Sequence, residues 1–230
     1  MGLTYAAKSD AGMRRSQEDC FCVCESGGTL MAVVCDGLGG HAGGAVASKT
    51  VCKTAERLFN AAPPTPENAA QFLKNLIKTA DFELLAIGAR TAQTPMTTIA
   101  IALFFESRAY FAHIGDSRVY IFAGGKMLSR TKDHTALQEK FDELGAGGGG
   151  HSNVLTRCLG GYVGGDIEIS ACGLAKGMLF VLCSDGFWDN VSPADLASLH
   201  DLDNADAVMK KALETGGKTC DNATFIAVKI

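Results

Sequence analysis

The chain reads as an α+β protein of antiparallel sheets with helices packed outside. Three observations lead there. Short apolar, strand-like runs recur from one end of the sequence to the other, and paired helical stretches interrupt them twice. Between residues 96 and 130, strand-like runs follow one another with breaks too short for a parallel return, which needs a crossover of about a dozen residues or more. With 230 residues and 47% hydrophobic content, the chain can bury a continuous core. No fixed-period repeat or long linker divides it, so one domain over 1–230 is expected.

Strands are expected at Leu3 to Ala7, Cys20 to Glu25 and Thr29 to Cys35, the last ending in the turn-prone pair Asp36-Gly37. A helix follows from about Gly44 to Asn60. A second begins after Pro63-Pro64-Thr65-Pro66, with Thr65 as cap and Pro66 in the first turn. Its apolar residues Ala69, Phe72, Leu73, Leu76, Ile77, Ala80, Leu84 and Leu85 keep a helical period, so the two helices form an amphipathic pair over a sheet. The runs TTIAIALFF, RAYFAHIGD, RVYIFAGG and KMLSR then read as an antiparallel meander from Met96 to Arg130. The glycine-rich stretch Gly145 to Gly150 loosens the chain. Strands at Asp166 to Cys172 and Met178 to Cys183 lead to helices at Pro193 to Leu199, capped by Ser192, and Ala205 to Thr215, stopped by Gly216. Asn222 to Ile230 closes as a strand.

Composition narrows the function classes. The net charge of −4 and the scattered Lys and Arg offer no basic surface for nucleic acid. The N-terminal MGLTYAAKSD has no basic region followed by an apolar run. Ala6 stands where myristoylation needs Ser or Thr, and the most apolar stretch, Thr97 to Phe105, is far short of a membrane span. A soluble, cytoplasmic monomer is expected, without membrane or nucleic-acid partners. Most of the nine cysteines lie in apolar strand-like runs, and the C-x-C-x-C of Cys20, Cys22 and Cys24 has no second cluster to complete four zinc ligands. They read as reduced, buried thiols.

The chemistry-bearing feature is the position of the acidic residues. Asp36 follows MAVVC, Asp116 follows YFAHIG, Asp185 follows LFVLCS, and Asp221 precedes NATFIAVKI. Each carboxylate stands at one end of an apolar strand. If those ends converge, the like charges raise one another's pKa or require a cation, and hard oxygen donors select Mg²⁺, Mn²⁺ or Ca²⁺. Asp before Gly is also simply a good turn residue, but four such sites together exceed what turns require.

These segments resemble the protein phosphatase 2C family over nearly the whole chain, in the family's order: Arg14-Arg15-Ser16-Gln17-Glu18-Asp19, Asp36-Gly37 with Gly39-Gly40, Gly115-Asp116-Ser117-Arg118, Thr131 to His134, Asn153 to Gly160, Ser184-Asp185-Gly186 and Asp221-Asn222-Ala223-Thr224. The resemblance implies a four-layer αββα sandwich, two antiparallel sheets flanked by helix pairs. It also implies hydrolysis of phosphoserine and phosphothreonine on proteins by a metal-bridging hydroxide, with Mn²⁺ or Mg²⁺ and no covalent intermediate. Asp36 would bridge two ions. Asp185 and Asp221 would complete one site, with Glu18 and the Gly37 carbonyl helping to form the other, and Asp19 would act from behind through a water. Asp116 with Asp185 would form a weaker third site. Arg14 would grip the phosphate; Arg15 is the fallback, since neighbouring strand residues point to opposite faces. A cognate Ser/Thr kinase would be the opposing partner.

One departure is Leu38, where many eukaryotic relatives carry His after the first Asp-Gly. It suggests a compact bacterial type and leaves the leaving-group acid unassigned among His41, His113, His134 and His151. Two rival readings are weighed. Gly37-x-Gly39-x-x-Ala42 fits a dinucleotide-binding pattern, but Asp36 would repel a pyrophosphate and no βαβ unit follows. A catalytically dead regulatory module would be favoured by loss of a ligand aspartate, and Asp36, Asp185 and Asp221 are all present. Phe187 and Trp188 read as core residues.

Overall fold

The structure is a computed structural model that describes residues 2–38, 42–144 and 154–230. The chain opens with β1 (Thr4–Asp10), β2 (Cys20–Ser26), β3 (Thr29–Cys35) and the two-residue β4 (Gly37–Leu38), followed by α1 (Ala42–Ala61) and α2 (Ala69–Thr91). Next come β5 (Met96–Thr97), β6 (Ile99–Phe104), β7 (Arg108–Ile114), β8 (Arg118–Ala123), β9 (Lys126–Arg130) and α3 (Ala136–Leu144). The last part holds β10 (Ser170–Gly173), β11 (Met178–Cys183), α4 (Asp185–Trp188), α5 (Pro193–Ser198), α6 (Ala205–Gly216) and β12 (Ala223–Lys229). The strands form two five-stranded antiparallel sheets, ordered β1-β12-β11-β8-β9 and β10-β7-β6-β3-β2, and β4 pairs separately with β5.

Three apolar layers hold four structural layers together. Along β3 the side chains alternate: Leu30, Ala32 and Val34 enter the space between the sheets, while Met31, Val33 and Cys35 face the helices. Both faces are therefore buried, which is why β6, β11 and β3 after Thr29 are apolar throughout, unlike strands with one wet face. Between the sheets, Phe104 meets Phe180 edge to face at 5.0 Å. On one outside, Phe59 of α1 and Leu73, Leu76, Ile77 and Leu84 of α2 cover the second sheet. On the other, Phe187, Leu196, Val208 and Met209 cover the first. The α+β sandwich expected from the sequence is the one observed.

Several local expectations are corrected. The 96–130 meander divides: β6 and β7 pair in one sheet, β8 and β9 in the other. The chain crosses between sheets at Gly115, whose φ of 101° favours glycine and whose Cβ would collide with Thr98. The second helix starts at Ala69 because residues 65–68 form a turn in which the Asn68 side chain accepts from Thr65 N–H at 2.9 Å. Leu85, assigned to its buried face, is exposed. The strand expected at Asp166 to Cys172 shrinks to Ser170–Gly173, and Gly217 rather than Gly216 stops the last helix, with φ 54°. The first strand runs on to Asp10. Helix α3 and the short α4 have no counterpart among the sequence-based expectations. The stretch Gly145 to Gly150 lies outside the described residues.

The intersheet core yields a direct test. Phe180→Ala leaves a void between two stiff sheets and should cost about 3–5 kcal/mol, lowering the urea midpoint with the slope unchanged. The exposed Phe82→Ala should stay within about 0.5 kcal/mol. Comparable losses for both would show that the intersheet layer is loosely packed.

Candidate active site

The elements carrying candidate carboxylates end around one cavity of about 490 Å³. Its lining includes Arg14, Arg15, Glu18, Asp36, Gly37, Leu38, Asp116, Asp185 and Asp221. Asp36 ends β3 and is tied to the next sheet strand: its N–H donates to Thr98 Oγ1 at 3.0 Å, and its carbonyl accepts from Thr98 N–H at 2.9 Å and Thr97 Oγ1 at 2.7 Å. Thr98 Oγ1 in turn shares a 2.6 Å hydrogen bond with Ser117 Oγ, beside Asp116. Asp185 begins α4, with Ser184 at its N-cap position. Asp221 directly precedes the last strand.

Asn222 fastens the N-terminal segment to this frame. Its side chain accepts from Glu18 N–H at 2.7 Å and donates to Ala11 O at 2.9 Å and Ser16 O at 3.0 Å. Glu18 is thereby buried at the cavity wall. A Cβ at Gly37 would run into the carbonyls of Gly44 and Glu18, and one at Gly44 into the Glu18 carboxylate, so two glycines admit the close approach of α1. Asp19 lies behind the wall, where its Oδ2 accepts from Ser184 Oγ at 2.7 Å. Its Oδ1 is buried without a hydrogen-bond partner.

Burial pushes the Asp36 carboxyl well above the usual range, and the charges of Asp19, Asp185 and Asp116 push it the same way. Asp19 is raised to about 7, chiefly by burial, against the bond from Ser184. Asp116 is also raised to about 7 by burial, helped by Asp185 and Asp133. Asp185 is raised by burial, with its hydrogen bond from Asp36 working against the shift. Four acids that hold protons this firmly, one with an orphaned oxygen, form a donor set that suits a hard cation. Asp36, Asp116 and Asp185 line a shared cavity, with Asp19 behind its wall, rather than converge on a point: among the described residues, no three acidic, His or Cys side chains form a compact ligand cluster.

Arg14 and Arg15 both line the cavity, because residues 11–19 are turn and loop rather than strand, and the opposite-faces argument does not apply. Arg14 pairs with Asp221 Oδ2 at 2.6 Å and is half exposed, leaving most of its donors open to the cavity. His113 and His134 stack at 4.5 Å outside the lining; His134 Nδ1 accepts from Gly115 N–H. Both are held below the usual imidazole range by burial, His134 at about 3. Neither is placed as an acid. His41 and His151 lie outside the described residues, as do Gly39 and Gly40.

Sequence reasoning missed Asn222 as a fastener and saw only part of what Trp188 does. Phe187 is core, stacked on Phe225 at 4.5 Å, and Trp188 packs against the same core while only partly buried. Its Nε1 donates to Asp116 O at 3.0 Å, and the Arg118 guanidinium lies 3.2 Å from its ring centroid. Arg118 makes a two-point bond to Asp133 at 2.7 and 2.6 Å.

The sequence profile of the family described as Protein phosphatase 2C matches residues 11–219, nearly the whole chain. This chain belongs to the protein phosphatase 2C family. It is 30% identical, over 99% of its length, to the serine/threonine protein phosphatase PstP of Mycobacterium tuberculosis, and spans 45% of that relative's length. The fold of the serine/threonine phosphatase Stp1 of Staphylococcus aureus superposes with a TM-score of 0.89 at 27% identity, covering all of this chain and 96% of that one. The catalytic domain of PstP in complex with two manganese ions superposes at 0.82 with 28% identity, covering 99% and 97%. Among the described residues, no helix of this family member is long and apolar enough to cross a membrane.

The two cavity arginines can be told apart. Arg14→Ala should lower kcat/KM on a phosphothreonine peptide about ten- to a hundredfold, the loss of a charge-assisted hydrogen-bonded pair worth roughly 1.5–3 kcal/mol, and should spare ion binding. Arg15→Ala should lower it less. A larger defect in Arg15→Ala would transfer the phosphate contact to Arg15.

Proposed function

We propose that the chain is a Mn²⁺- or Mg²⁺-dependent protein serine/threonine phosphatase, with residues 1–230 forming one catalytic domain. The observation that carries this reading is the ring of Glu18, Asp36, Asp116, Asp185 and Asp221 around one cavity with Arg14 at its rim. Asp36, beside Asp185, would be the carboxylate shared between two ions. Asp185 and Asp221 would complete one site, and Glu18 and the Gly37 carbonyl would help form the other. Asp19 would act from behind through its unpartnered Oδ1, and Asp116 with Asp185 would hold a third, weaker ion. When bound, two such ions supply the Lewis acidity that makes hydroxide available near neutral pH for in-line attack on phosphorus.

The chain's own groups set the rest. The Arg14 fork offsets phosphate charge and orients the group, while its bond to Asp221 aligns that fork with the carboxylates. Among the described residues no cysteine lines the cavity, so none is placed as a nucleophile. A phosphatase of this specificity presupposes a Ser/Thr kinase that installs the ester, and that kinase is the opposing partner. Nine free thiols fit a reducing compartment such as the cytoplasm.

Activity on a phosphothreonine peptide should require Mn²⁺ or Mg²⁺ and vanish in excess chelator. Asp36→Asn should fold, by circular dichroism and melting, and lose most turnover. Full activity in chelator after exhaustive dialysis, or a near-normal kcat in folded Asp36→Asn, would remove the bridged-ion mechanism.

Asp116→Ala should keep the two tight ions by calorimetry while losing turnover. The loss should be larger on phosphothreonine peptide than on p-nitrophenyl phosphate, because an alkoxide leaving group needs a proton and a nitrophenolate scarcely does. Equal losses on the two substrates would take Asp116 out of the proton path, and loss of the tight ions would move it into the central pair.

A further inference from the structure

Asp116 sits in the turn where the chain leaves β7 for β8 and passes from one sheet to the other. Among the described residues, the hydrogen bonds that hold this turn reach its backbone and Ser117 rather than the Asp116 carboxylate. His134 closes on Gly115 twice, its N–H donating to Gly115 O at 2.9 Å and its Nδ1 accepting from Gly115 N–H at 3.1 Å. Ser117 Oγ is joined to Thr98 Oγ1 at 2.6 Å. The Asp116 carbonyl accepts from Trp188 Nε1 at 3.0 Å. The main chain of the turn therefore aims the acid, and an indole holds the carbonyl of the acid itself.

Trp188 ends α4, the one-turn helix that Asp185 begins. Its N–H donates to Ser184 O at 3.1 Å, and buried Phe187 stacks on Phe225, so the helical turn is fixed to the last strand. Asp185 and Trp188 are three positions apart and share one side of that turn. A single rigid turn thus presents one carboxylate to the cavity and an indole donor to the backbone of a second. Those two acids repel, since the charge of Asp185 helps to raise Asp116. The ring is itself held in place: the Arg118 guanidinium lies 3.2 Å from its centroid and is bonded at 2.7 and 2.6 Å to Asp133 and at 2.7 Å to Tyr120 Oη. The indole cannot swing without leaving that stack.

We propose that Trp188 is a positioning residue for the phosphatase reaction: its indole N–H ties the backbone of Asp116 to the helical turn of Asp185 and so sets the spacing of the two carboxylates that take the weaker ion. This role rests on the assignment of Asp116 and Asp185 to that ion under the proposed function. The effect falls on ion affinity at this pair and leaves the Arg14 contact to phosphate alone. It also accounts for an indole here, since a phenyl ring would stack on Arg118 equally well but has no donor.

Trp188→Phe keeps an aromatic face for Arg118 and deletes the donor. Calorimetry should still find the two tight ions. The Mn²⁺ concentration that gives half-maximal hydrolysis of a phosphothreonine peptide should rise roughly two- to tenfold, the worth of one hydrogen bond, and turnover at saturating Mn²⁺ should return toward that of the parent. A residue that merely fills space would lower the melting temperature and turnover without moving the Mn²⁺ dependence, and that result would overturn the proposal. The unsubstituted chain gives a second measurement, because Trp188 is its only tryptophan. With ¹⁵N-labelled tryptophan, the single indole N–H signal should exchange slowly with water. It should also move again as diamagnetic Mg²⁺ is raised past the level that fills the tight pair, and Asp116→Ala should lack that second movement. A fast-exchanging indole N–H, or one indifferent to the added Mg²⁺, would remove the tether even if Trp188→Phe failed to fold. If Asp116→Ala keeps both the second movement and the parent Mn²⁺ dependence, the assignment of Asp116 to an ion falls and the tether falls with it. If Asp116→Ala loses both while Trp188→Phe keeps the parent Mn²⁺ dependence, only the tether falls.

Discussion

Carboxylates gathered around one cavity repel one another, and much of this structure resists that repulsion. A lone loop could not hold Asp36, Asp116, Asp185 and Asp221 in place, because each would swing toward water. Here each is anchored at the end of a regular element. Asp36 closes a strand buried on both faces, Asp185 opens a helix directly after another such strand, and Asp221 leads into the strand between β1 and β11. The three apolar layers thus do electrostatic work: they convert hydrophobic burial into fixed positions for like charges. The raised proton affinity of Asp19, Asp36, Asp116 and Asp185 is the sign that the frame holds.

What the sequence made legible follows from this division of labour. Buried strands such as Thr29–Cys35 and Met178–Cys183 were readable to the residue, because a continuous apolar run bounded by turn residues has one reading. The acidic residues were readable because they interrupt such runs at their ends. The division of the meander between sheets was not, since a short turn fixes antiparallel direction but not pairing. Gly115, with its left-handed backbone, sends the chain across instead of back. The opposite-faces argument that separated Arg14 from Arg15 fails for a related reason: period-2 alternation is a property of strands, and residues 11–19 form none.

Trp188 marks a different limit. Nothing in the sequence distinguishes an indole that fills a core from one whose N–H fixes a functional loop. In the fold its Nε1 holds the carbonyl of Asp116, and Arg118 is clamped between the Trp188 ring and the Asp133 carboxylate. The planar, delocalised guanidinium can serve a π face and a carboxylate at once, which an ammonium does less well. The loop bearing Asp116 is thereby coupled to the segment between β9 and α3, two regions whose connection sequence spacing gives no hint of.

Asn222 joins regions that lie still further apart along the chain. One amide side chain spends its hydrogen-bonding capacity on Glu18, Ala11 and Ser16 while its neighbour Asp221 grips Arg14. Residues 11–18 and 221–222 are consequently a single mechanical unit at the cavity, although they lie more than 200 positions apart. Releasing Asn222 would leave three backbone groups of the first segment unpaired and free Glu18 from the wall, so a disturbance in either segment is felt by the carboxylates of both.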